Sequence, residues 1–157
     1  VGNETESWFQ NIDLVERFIR HGGYRLYPTQ VVVPCEARTG ETLTLTHTWE
    51  NMGWGYCPNN IRQWNHRFKP SFALIAEDGT VVRIFVDTKA EPSDWMRNKP
   101  AGYSLHVSLE GVAPGNYSWA VAISDTEKGN IPGLNMAVDT ASLTKDGWLK
   151  VAKVTIR

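Results

Sequence analysis

Residues 42–50 read Thr-Leu-Thr-Leu-Thr-His-Thr-Trp-Glu, and this stretch decides the fold. Threonine occupies the even positions up to 48, and the odd positions carry Leu43, Leu45, His47 and Trp49. Alternation with a period of two is typical of a β-strand that turns one face to the core and the other to solvent. We therefore predict an exposed threonine face and a buried opposite face, on which His47 is a hydrogen-bonded core histidine.

The same period recurs on both sides of this stretch. Further strands are predicted at 24–33, 68–76, 81–86, 103–109, 116–124, 134–138 and 147–156. The turn Glu77-Asp78-Gly79 joins two of them, so residues 68–86 are predicted to form a hairpin. Seven or eight short strands with regularly spaced turns, and no alternation of strands with helices, indicate an all-β antiparallel sandwich of the Ig-like or jelly-roll type.

A helical period occurs near the N-terminus, at residues 7–20. Ser7 and Gln10 form a capping-box pattern, and Gly22-Gly23 follows the last apolar position. The apolar stripe consists of Trp8, Ile12, Val15 and Ile19. We expect a single domain over 1–157, with a helical segment at 1–21 and the sandwich at 22–157.

The composition narrows the class of protein. The chain has 157 residues, 41% of them hydrophobic and 21% charged, and a formal net charge of -1 at pH 7. These values fit one globular domain and exclude a disordered chain. Nucleic acids and anionic membranes select basic proteins, so neither is an expected partner. No apolar run approaches the roughly 20 residues of a membrane span. No signal peptide precedes Val1, and we expect a mature or excised piece.

The usual enzyme motifs are missing from the sequence. There is no glycine-rich phosphate loop, no Gly-x-Ser-x-Gly elbow and no histidine pair on a helix. The residues considered for a metal trio are His47, His66 and His106. The residues considered for a glycosidase pair or a calcium site are Asp87, Glu91 and Asp94, and a second acidic set is Asp125, Glu127 and Asp139. Acidic residues that cluster on a loop are usually solvated surface groups with no catalytic role. We expect no catalysis and no cofactor, with a structural calcium ion as an open alternative.

The connection from Glu50 to Arg67 is the most informative stretch. Connections longer than roughly 12–15 residues are usually functional or disordered, and three aromatic residues argue against disorder here. An indole stacks on the apolar C–H face of a pyranose, and planar amide and guanidinium groups bind its hydroxyls. The candidate carbohydrate-binding residues are Trp54, Tyr56, Asn59, Asn60, Arg62, Gln63, Trp64 and Asn65, with Trp95 in the Pro92–Pro100 loop as an extension.

The same stretch also allows a structural interpretation. Asn51 and Gly53 could serve only to turn the chain, Trp54 and Tyr56 could plug the open end of the sandwich, and Trp64 could pack on a sheet. The tryptophans within strand patterns are expected in the core: Trp49, Trp119 and Trp148. The two cysteines, Cys35 and Cys57, allow either one disulfide or two buried free thiols.

Five short motifs follow one another along the chain. They are Gly-Tyr-Arg-Leu at 23–26, Trp-Glu-Asn-Met-Gly at 49–53, Pro-Gly-Asn-Tyr at 114–117, Ile-Pro-Gly-Leu at 131–134 and Asp-Gly-Trp-Leu at 146–149. With these motifs, residues 22–157 resemble an uncharacterised β-sandwich module that follows barrel-shaped glycoside-hydrolase-like domains in bacteria. The resemblance implies an Ig-like sandwich, an extracellular context of polysaccharide degradation and a carbohydrate-binding or accessory role. It also allows the helix at 8–20 to be the tail of a preceding barrel. The chain departs from the family at 53–67, where its loop is longer than the loop of the family.

We therefore predict a secreted, non-catalytic carbohydrate-binding module that is covalently linked to a glycoside hydrolase. Its expected partner is a polysaccharide, or an oligosaccharide, of the β-glucan type. The alternative is a structural accessory domain that packs on a glycoside-hydrolase barrel and has no ligand of its own. A small enzyme and an adhesin-like protein-binding sandwich are more distant alternatives.

Overall fold

A computed structural model describes residues 23–157 of the chain. These residues form two β-sheets that pack face to face around a core rich in tryptophan and phenylalanine. The fold is an all-β sandwich, as the strand pattern predicts. The helix predicted at 7–20 lies outside the described residues. Within residues 23–157, no helix is long and apolar enough to cross a membrane.

The described part of the chain contains nine strands. Their bounds are β1 Leu26–Val32, β2 Glu36–Ala37, β3 Thr42–Asn51, β4 Phe68–Ala76, β5 Val81–Val86, β6 Ala101–Ser108, β7 Gly115–Asp125, β8 Ile131–Leu134 and β9 Leu149–Ile156. Strands β4 and β5 have the predicted bounds, and β1, β3, β6, β7 and β9 differ from prediction by one or two residues at one or both ends. The strand predicted at 134–138 is wrong except for Leu134, because β8 lies before it. Strand β2 was not predicted, because two residues are too short to display a period.

The smaller sheet has the order β1-β3-β6 and the larger sheet the order β2-β9-β7-β4-β5, with β8 beside β7. All pairings between these strands are antiparallel except that of β2 with β9. The hairpin predicted at 68–86 is present, with Phe72 opposite Phe85. The long connection between β3 and β4 and the connection between β5 and β6 lie near each other, because the 3-10 turns Pro58–Asn60 and Pro92–Asp94 are in contact.

Strand β3 confirms the alternation that predicted it. Leu43, Leu45 and Trp49 are buried, whereas Thr42 and Thr44 are exposed. The tryptophans that were expected in the core are buried there: Trp49, Trp119 and Trp148. The hydrophobic period therefore fixed which side of the smaller sheet faces inward.

His47 lies in the core and has a partner at each ring nitrogen. Its Nε2 is 2.9 Å from Asp87 Oδ2, and the Trp49 indole N–H donates to its Nδ1 at 2.7 Å. Because an indole N–H can only donate, we assign Nδ1 as an acceptor and Nε2–H as the donor to Asp87. Burial by itself would raise the pKa of Asp87, but His47 and the backbone N–H groups of Lys89 and Ala90 together outweigh burial, and the pKa is lowered. His47 is thus a satisfied core histidine, as predicted, and Asp87 is its buried counterpart rather than a solvated loop acid.

The two cysteines are both free thiols in the structure, which answers the question that the sequence left open. Cys35 is exposed, contrary to the expectation that free thiols would both be buried, and Cys57 is buried. Burial raises the pKa of the Cys57 thiol to about 12. A thiol with so high a pKa is a packing group and not a nucleophile at neutral pH.

Replacing Asp87 by alanine should lower the free energy of unfolding by about 3 kcal/mol, because the Nε2–H of His47 would stay buried without an acceptor. The matched control is Asp94→Ala, which removes an exposed carboxylate of the same loop and should change stability by less than about 0.5 kcal/mol. Urea unfolding of both variants measures the difference. Equal losses in the two variants would show that the His47–Asp87 contact does not support the fold.

Candidate functional site: an aromatic surface at one end of the sandwich

Two of the predicted aromatic residues stand on the surface, just after β3. The Trp54 side chain is 67% exposed and the Tyr56 side chain 49% exposed. Large exposed apolar side chains are few in residues 23–157, and these are the two aromatic ones among them. Exposed aromatic rings on a connecting segment indicate recognition more than packing.

Arg97 holds one face of the Trp54 ring. Its guanidinium carbon lies 4.4 Å from the ring centroid, a cation–π contact, and its Nη1 donates to the Met52 carbonyl. This contact and the hydrogen bond to Met52 join the segment of Trp54 to the loop that follows Pro92–Asp94. Since Trp54 stays 67% exposed under this contact, the opposite face of the indole is open to a ligand. Sequence reasoning missed Arg97, because only the fold brings it to Trp54.

A small cleft of about 160 Å³ continues the surface beside Arg97. It is lined by Tyr27, Glu50, Asn51, Met52, Arg97 and Asn98. The Tyr27 hydroxyl donates to Glu50 Oε2 at 3.2 Å. Burial raises the pKa of Tyr27, and the Glu50 carboxylate raises it further, so the phenol stays protonated near neutral pH. We define the aromatic surface as Trp54, Tyr56 and Arg97 together with this cleft.

Asn51 supports the aromatic surface from below. Its side chain is buried, and its Oδ1 accepts from the backbone N–H groups of Arg25 at 2.9 Å and Gly53 at 2.8 Å. Its Nδ2 donates to the carbonyls of Gly55 at 2.8 Å and Trp95 at 3.1 Å. One amide therefore ties together the chain before β1, the segment that carries Trp54 and the loop that leads to Arg97.

The close approach of two backbone segments explains Gly53. A Cβ at this position would lie 1.9 Å from the Gly23 carbonyl oxygen, so no other residue fits without a shift of the backbone. The N–H of Gly55 donates to the same carbonyl at 3.0 Å. Asn51 and Gly53 do turn the chain, as the structural interpretation held, and the turn is what brings Trp54 to the surface.

Trp95 does not belong to the exposed surface, so the prediction that it extends an exposed platform is wrong. Its side chain is fully buried and stacks on Trp49, with ring centroids 5.1 Å apart and planes 14° apart. Its indole N–H donates to the Tyr103 hydroxyl at 2.6 Å. Trp95 is a supporting core residue that closes the end of the sandwich beneath the loop of Arg97.

Asn59 and Trp64 also take structural positions. Asn59 is fully buried, so it is not a rim residue; its Nδ2 donates to the Phe68 carbonyl and to Glu91, and its Oδ1 accepts from the Phe68 N–H. Trp64 is half-buried and packs edge-on against Tyr24 at 6.3 Å and Phe68 at 5.1 Å between ring centroids. Its position fits the structural interpretation better than a role as an exposed platform.

The remaining polar candidates are exposed: Asn60, Arg62, Gln63 and Asn65. Among residues 23–157, no side-chain hydrogen bond or ring contact joins these four to Trp54 or Tyr56. Asn65 and His66 have left-handed backbones, with φ of 46° and 58°, and their N–H groups donate to the carbonyls of Ile61 and Asn59. The polar candidates are therefore accessible and held on an ordered turn, but the structure does not assemble them with the aromatic pair.

Glu91 links the two loops that form this end of the sandwich. Its carboxylate accepts from Asn59, Ser93 and His66, the last at 2.6 Å, and lies 3.4 Å from the Lys69 ammonium. Burial by itself would raise the pKa of Glu91, but the hydrogen bonds from Ser93, Asn59 and His66 outweigh it and lower that pKa from 4.5 to about 2. The carboxylate is thus a permanent anion that holds the loops together.

The acidic residues considered for catalysis or calcium are dispersed. Asp125 accepts two bonds from the Arg67 guanidinium at 2.9 and 2.6 Å, Asp139 caps the Thr140–Ser142 turn, and Asp94 is exposed. The three histidines have separate partners: Asp87 for His47, Glu91 for His66 and Thr44 for His106. Within residues 23–157, no group of three or more His, Cys, Asp or Glu could hold a metal ion.

Comparison with known proteins adds little to this geometry. No family model and no curated protein matches the sequence. Among solved structures, the CARDB domain of a Pyrococcus furiosus protein, in complex with di-metal ions, is 10% identical with a TM-score of 0.43; the match covers 85% of this chain and 94% of that one. A Listeria innocua β-glucosidase in complex with glucose is 14% identical with a TM-score of 0.43.

The match to the β-glucosidase covers 85% of this chain but only 16% of that enzyme. With TM-scores below 0.5 and identities this low, neither structure bears on what this protein binds. The resemblance to modules that follow glycoside-hydrolase-like barrels stays a prediction from the sequence. The site is therefore interpreted from its own residues.

Replacing Asn51 by alanine should lower the free energy of unfolding by about 3 kcal/mol, because it leaves two backbone N–H donors and two carbonyls without their buried partner. Asn60→Ala is the matched control, since it truncates an exposed asparagine and should cost less than about 0.5 kcal/mol. Denaturant titrations of both variants measure the two losses. The comparison is valid if the slope of unfolding free energy against denaturant concentration is unchanged. A mild effect of Asn51→Ala would mean that water replaces the amide and that the loops are held by other contacts.

The depressed pKa of Glu91 predicts a specific dependence of stability on pH. A carboxylate with a lowered folded-state pKa contributes stability fully above its ordinary pKa of 4.5, and this contribution is lost as the pH falls toward 2. The gap in unfolding free energy between the wild type and Glu91→Gln should therefore be largest above pH 5 and shrink between about pH 4.5 and 2. Urea unfolding at a series of pH values tests this; a gap that stays constant over that range would contradict it.

Proposed function

We propose that this protein is a non-catalytic binding module that takes a carbohydrate on its aromatic surface. The observation that carries the proposal is the exposed indole of Trp54, fixed by Arg97 on one face and open on the other. A sugar ring could stack its C–H face on the open side of the indole. Tyr56, next to it along the segment, offers a second ring.

Polar groups around the indole would orient the sugar. The Arg97 guanidinium has five N–H donors, and its hydrogen bond to the Met52 carbonyl occupies only part of this set. The Glu50 carboxylate accepts from Tyr27 and has capacity for further hydroxyl donors. A sugar ring has an apolar C–H face and hydroxyl groups at its edge. Stacking on the indole would bind the face, and hydrogen bonds from these polar groups would bind the edge.

The segment that carries Trp54 is held rigidly, and a rigid segment favours ligand binding more than a mobile loop does. Because Asn51 and the Arg97 contact already order the segment, a ligand loses less free energy to immobilising side chains and backbone. We expect a modest single-site affinity, on the order of -4 to -8 kcal/mol. An attached enzyme would gain from the raised local concentration of its substrate.

The carboxylates support a non-catalytic role. A glycosidase needs two carboxyl groups on either side of an open scissile bond. Asp87 is buried against His47, and Glu91 is occupied by four donors of the protein itself. An extracellular location, attachment to a glycoside hydrolase and a β-glucan ligand belong to the proposal, and all three rest on the sequence alone.

A second candidate function is docking to a protein, such as the catalytic barrel of a linked glycoside hydrolase. Tryptophan, tyrosine, methionine and arginine are the residues enriched at protein interfaces. Met96, next to Arg97, is 43% exposed and would extend an interface but would contribute little to stacking on a sugar. The two candidates use the same surface and differ in the partner.

Affinity electrophoresis against β-glucan, xyloglucan, xylan, mannan and pectin distinguishes them. Trp54→Ala should weaken binding to the retained polysaccharide about tenfold, a loss of about 1.4 kcal/mol, without changing the melting temperature. Trp64→Ala should instead lower the melting temperature, because this ring is packed. The control for truncating an exposed apolar side chain is Ile131→Ala, on strand β8, which should leave binding unchanged.

Two outcomes would contradict the proposal. If no polysaccharide retards the folded wild type, the aromatic surface is better explained as a protein interface. If a polysaccharide binds and Trp54→Ala binds equally well, the carbohydrate site lies elsewhere on the molecule.

A further inference from the structure

A groove lies at the opposite end of β4 from the aromatic surface. It has a volume of about 270 Å³ and lies where the end of β4 meets β7 and β9 on the outer face of the larger sheet. The loop that carries Trp54 leads into β4 at Phe68, whereas the groove begins at Ile75. At about 3.3 Å per residue, Phe68 and Ile75 are separated by about 23 Å along the strand.

A β-bulge in β9 gives the groove its charge. Lys150 lies opposite Ala120 and Lys153 opposite Ser118, and the register shifts between these pairs. In a regular strand, two residues three positions apart face opposite sides of the sheet. The extra residue at 151 brings both lysines to the same face, side by side along the groove. Bulges that re-aim side chains in this way are over-represented next to functional sites.

The polar groups that line the groove are mainly donors. Among the described residues, neither Lys150 nor Lys153 has a carboxylate within the 4.0 Å of an ion pair. Asn116 Oδ1 accepts from the Thr155 hydroxyl at 3.0 Å, which leaves the amide N–H groups of Asn116 free to donate. The Ser118 hydroxyl lies between the lysine strand and Ile75. The one acidic residue of the lining is Glu77, exposed in the turn after β4.

The apolar residues of the lining offer little open surface. Ile75 is 2% exposed, and Tyr117 lies opposite Val154 and packs against the core. The volume is just below the range of about 300–1,000 Å³ that is typical of pockets for drug-sized ligands. The groove thus suits a small anionic group that is held by polar side chains. The net charge of the chain is -1, so the local excess of cations is not a property of the whole surface.

We propose that this groove, the anion groove, binds one acidic sugar unit of a polysaccharide through its carboxylate or sulfate group. Lys150 and Lys153 would form charge-assisted hydrogen bonds to the oxyanion, and Asn116 and Ser118 would donate to neighbouring oxygens. This inference goes beyond the proposed function, since it concerns a second site and does not require the aromatic surface to bind sugar.

Titration with polygalacturonate, dextran sulfate and neutral dextran at low ionic strength tests the anion groove. The wild type should bind at least one of the two polyanions and not the neutral dextran through this site. The double variant K150Q/K153Q should lose affinity about tenfold or more, and added salt should weaken the wild type toward the same level. The matched control is K128Q/K145Q, which removes two charges from exposed lysines outside the groove and should stay within about twofold of the wild type.

A third variant separates a shaped groove from diffuse charge. Ser118→Phe keeps both lysines but fills the groove, and it should also lose about tenfold in affinity while the double variant K128Q/K145Q does not. Thermal melting of each variant verifies that it is folded. Binding of polygalacturonate alone assigns the carboxylate as the recognised group, and binding of dextran sulfate alone assigns the sulfate.

Failure of this proposal is distinguishable from failure of the proposed function. Trp54→Ala should keep its affinity for the polyanion, whatever it does to neutral polysaccharides. The anion groove is refuted if the wild type binds neither polyanion, or if K128Q/K145Q loses as much affinity as K150Q/K153Q. It is equally refuted if Ser118→Phe binds as well as the wild type.

Discussion

The side-chain amide of Asn51 connects every segment that forms the aromatic end of this sandwich. It uses both lone pairs of its oxygen and both N–H groups of its nitrogen on backbone partners, at distances of 2.8–3.1 Å. No other side chain of this size offers two donors and two acceptors in one plane. Because all four bonds are buried or nearly so, their loss would leave polar backbone groups with neither a protein partner nor water to bond to. This one residue holds both the segment that carries Trp54 and, through the Trp95 carbonyl, the loop that supplies Arg97.

Beneath that amide, aromatic packing and ionic hydrogen bonds reinforce each other. Trp49 stacks on Trp95 and at the same time donates to His47, which in turn binds the Asp87 carboxylate. On the other side, Glu91 joins the loops on either side of β4 and β5. A surface built on such a base is preorganised, so a ligand would meet an indole that already has its final position.

The two surfaces lie at opposite ends of β4 and have different chemistry. One exposes an aromatic ring between a guanidinium and solvent, and suits a neutral sugar face. The other brings two lysine ammonium groups to one face of the larger sheet, and suits an anion. An acidic polysaccharide has both features in repeating form, so two separate contacts on one small domain could raise the affinity for such a polymer over that for a single unit. The bulge in β9 and the turn at Gly53 are both local irregularities in otherwise regular β-structure.

The sequence by itself determined the longer strands, the sandwich and the buried face of β3, because a period of two depends only on neighbouring residues and on which face meets the core. It also identified Trp54 and Tyr56 as aromatic residues in an unusual loop. Only the tertiary structure decided that Trp95 and Asn59 are buried supports and that Arg97 belongs to the surface, since the burial of a loop residue depends on contacts with distant segments that carry no local period. The same holds for Lys150 and Lys153, which a regular strand would place on opposite faces and which a single extra residue, seen only in the register with β7, brings together.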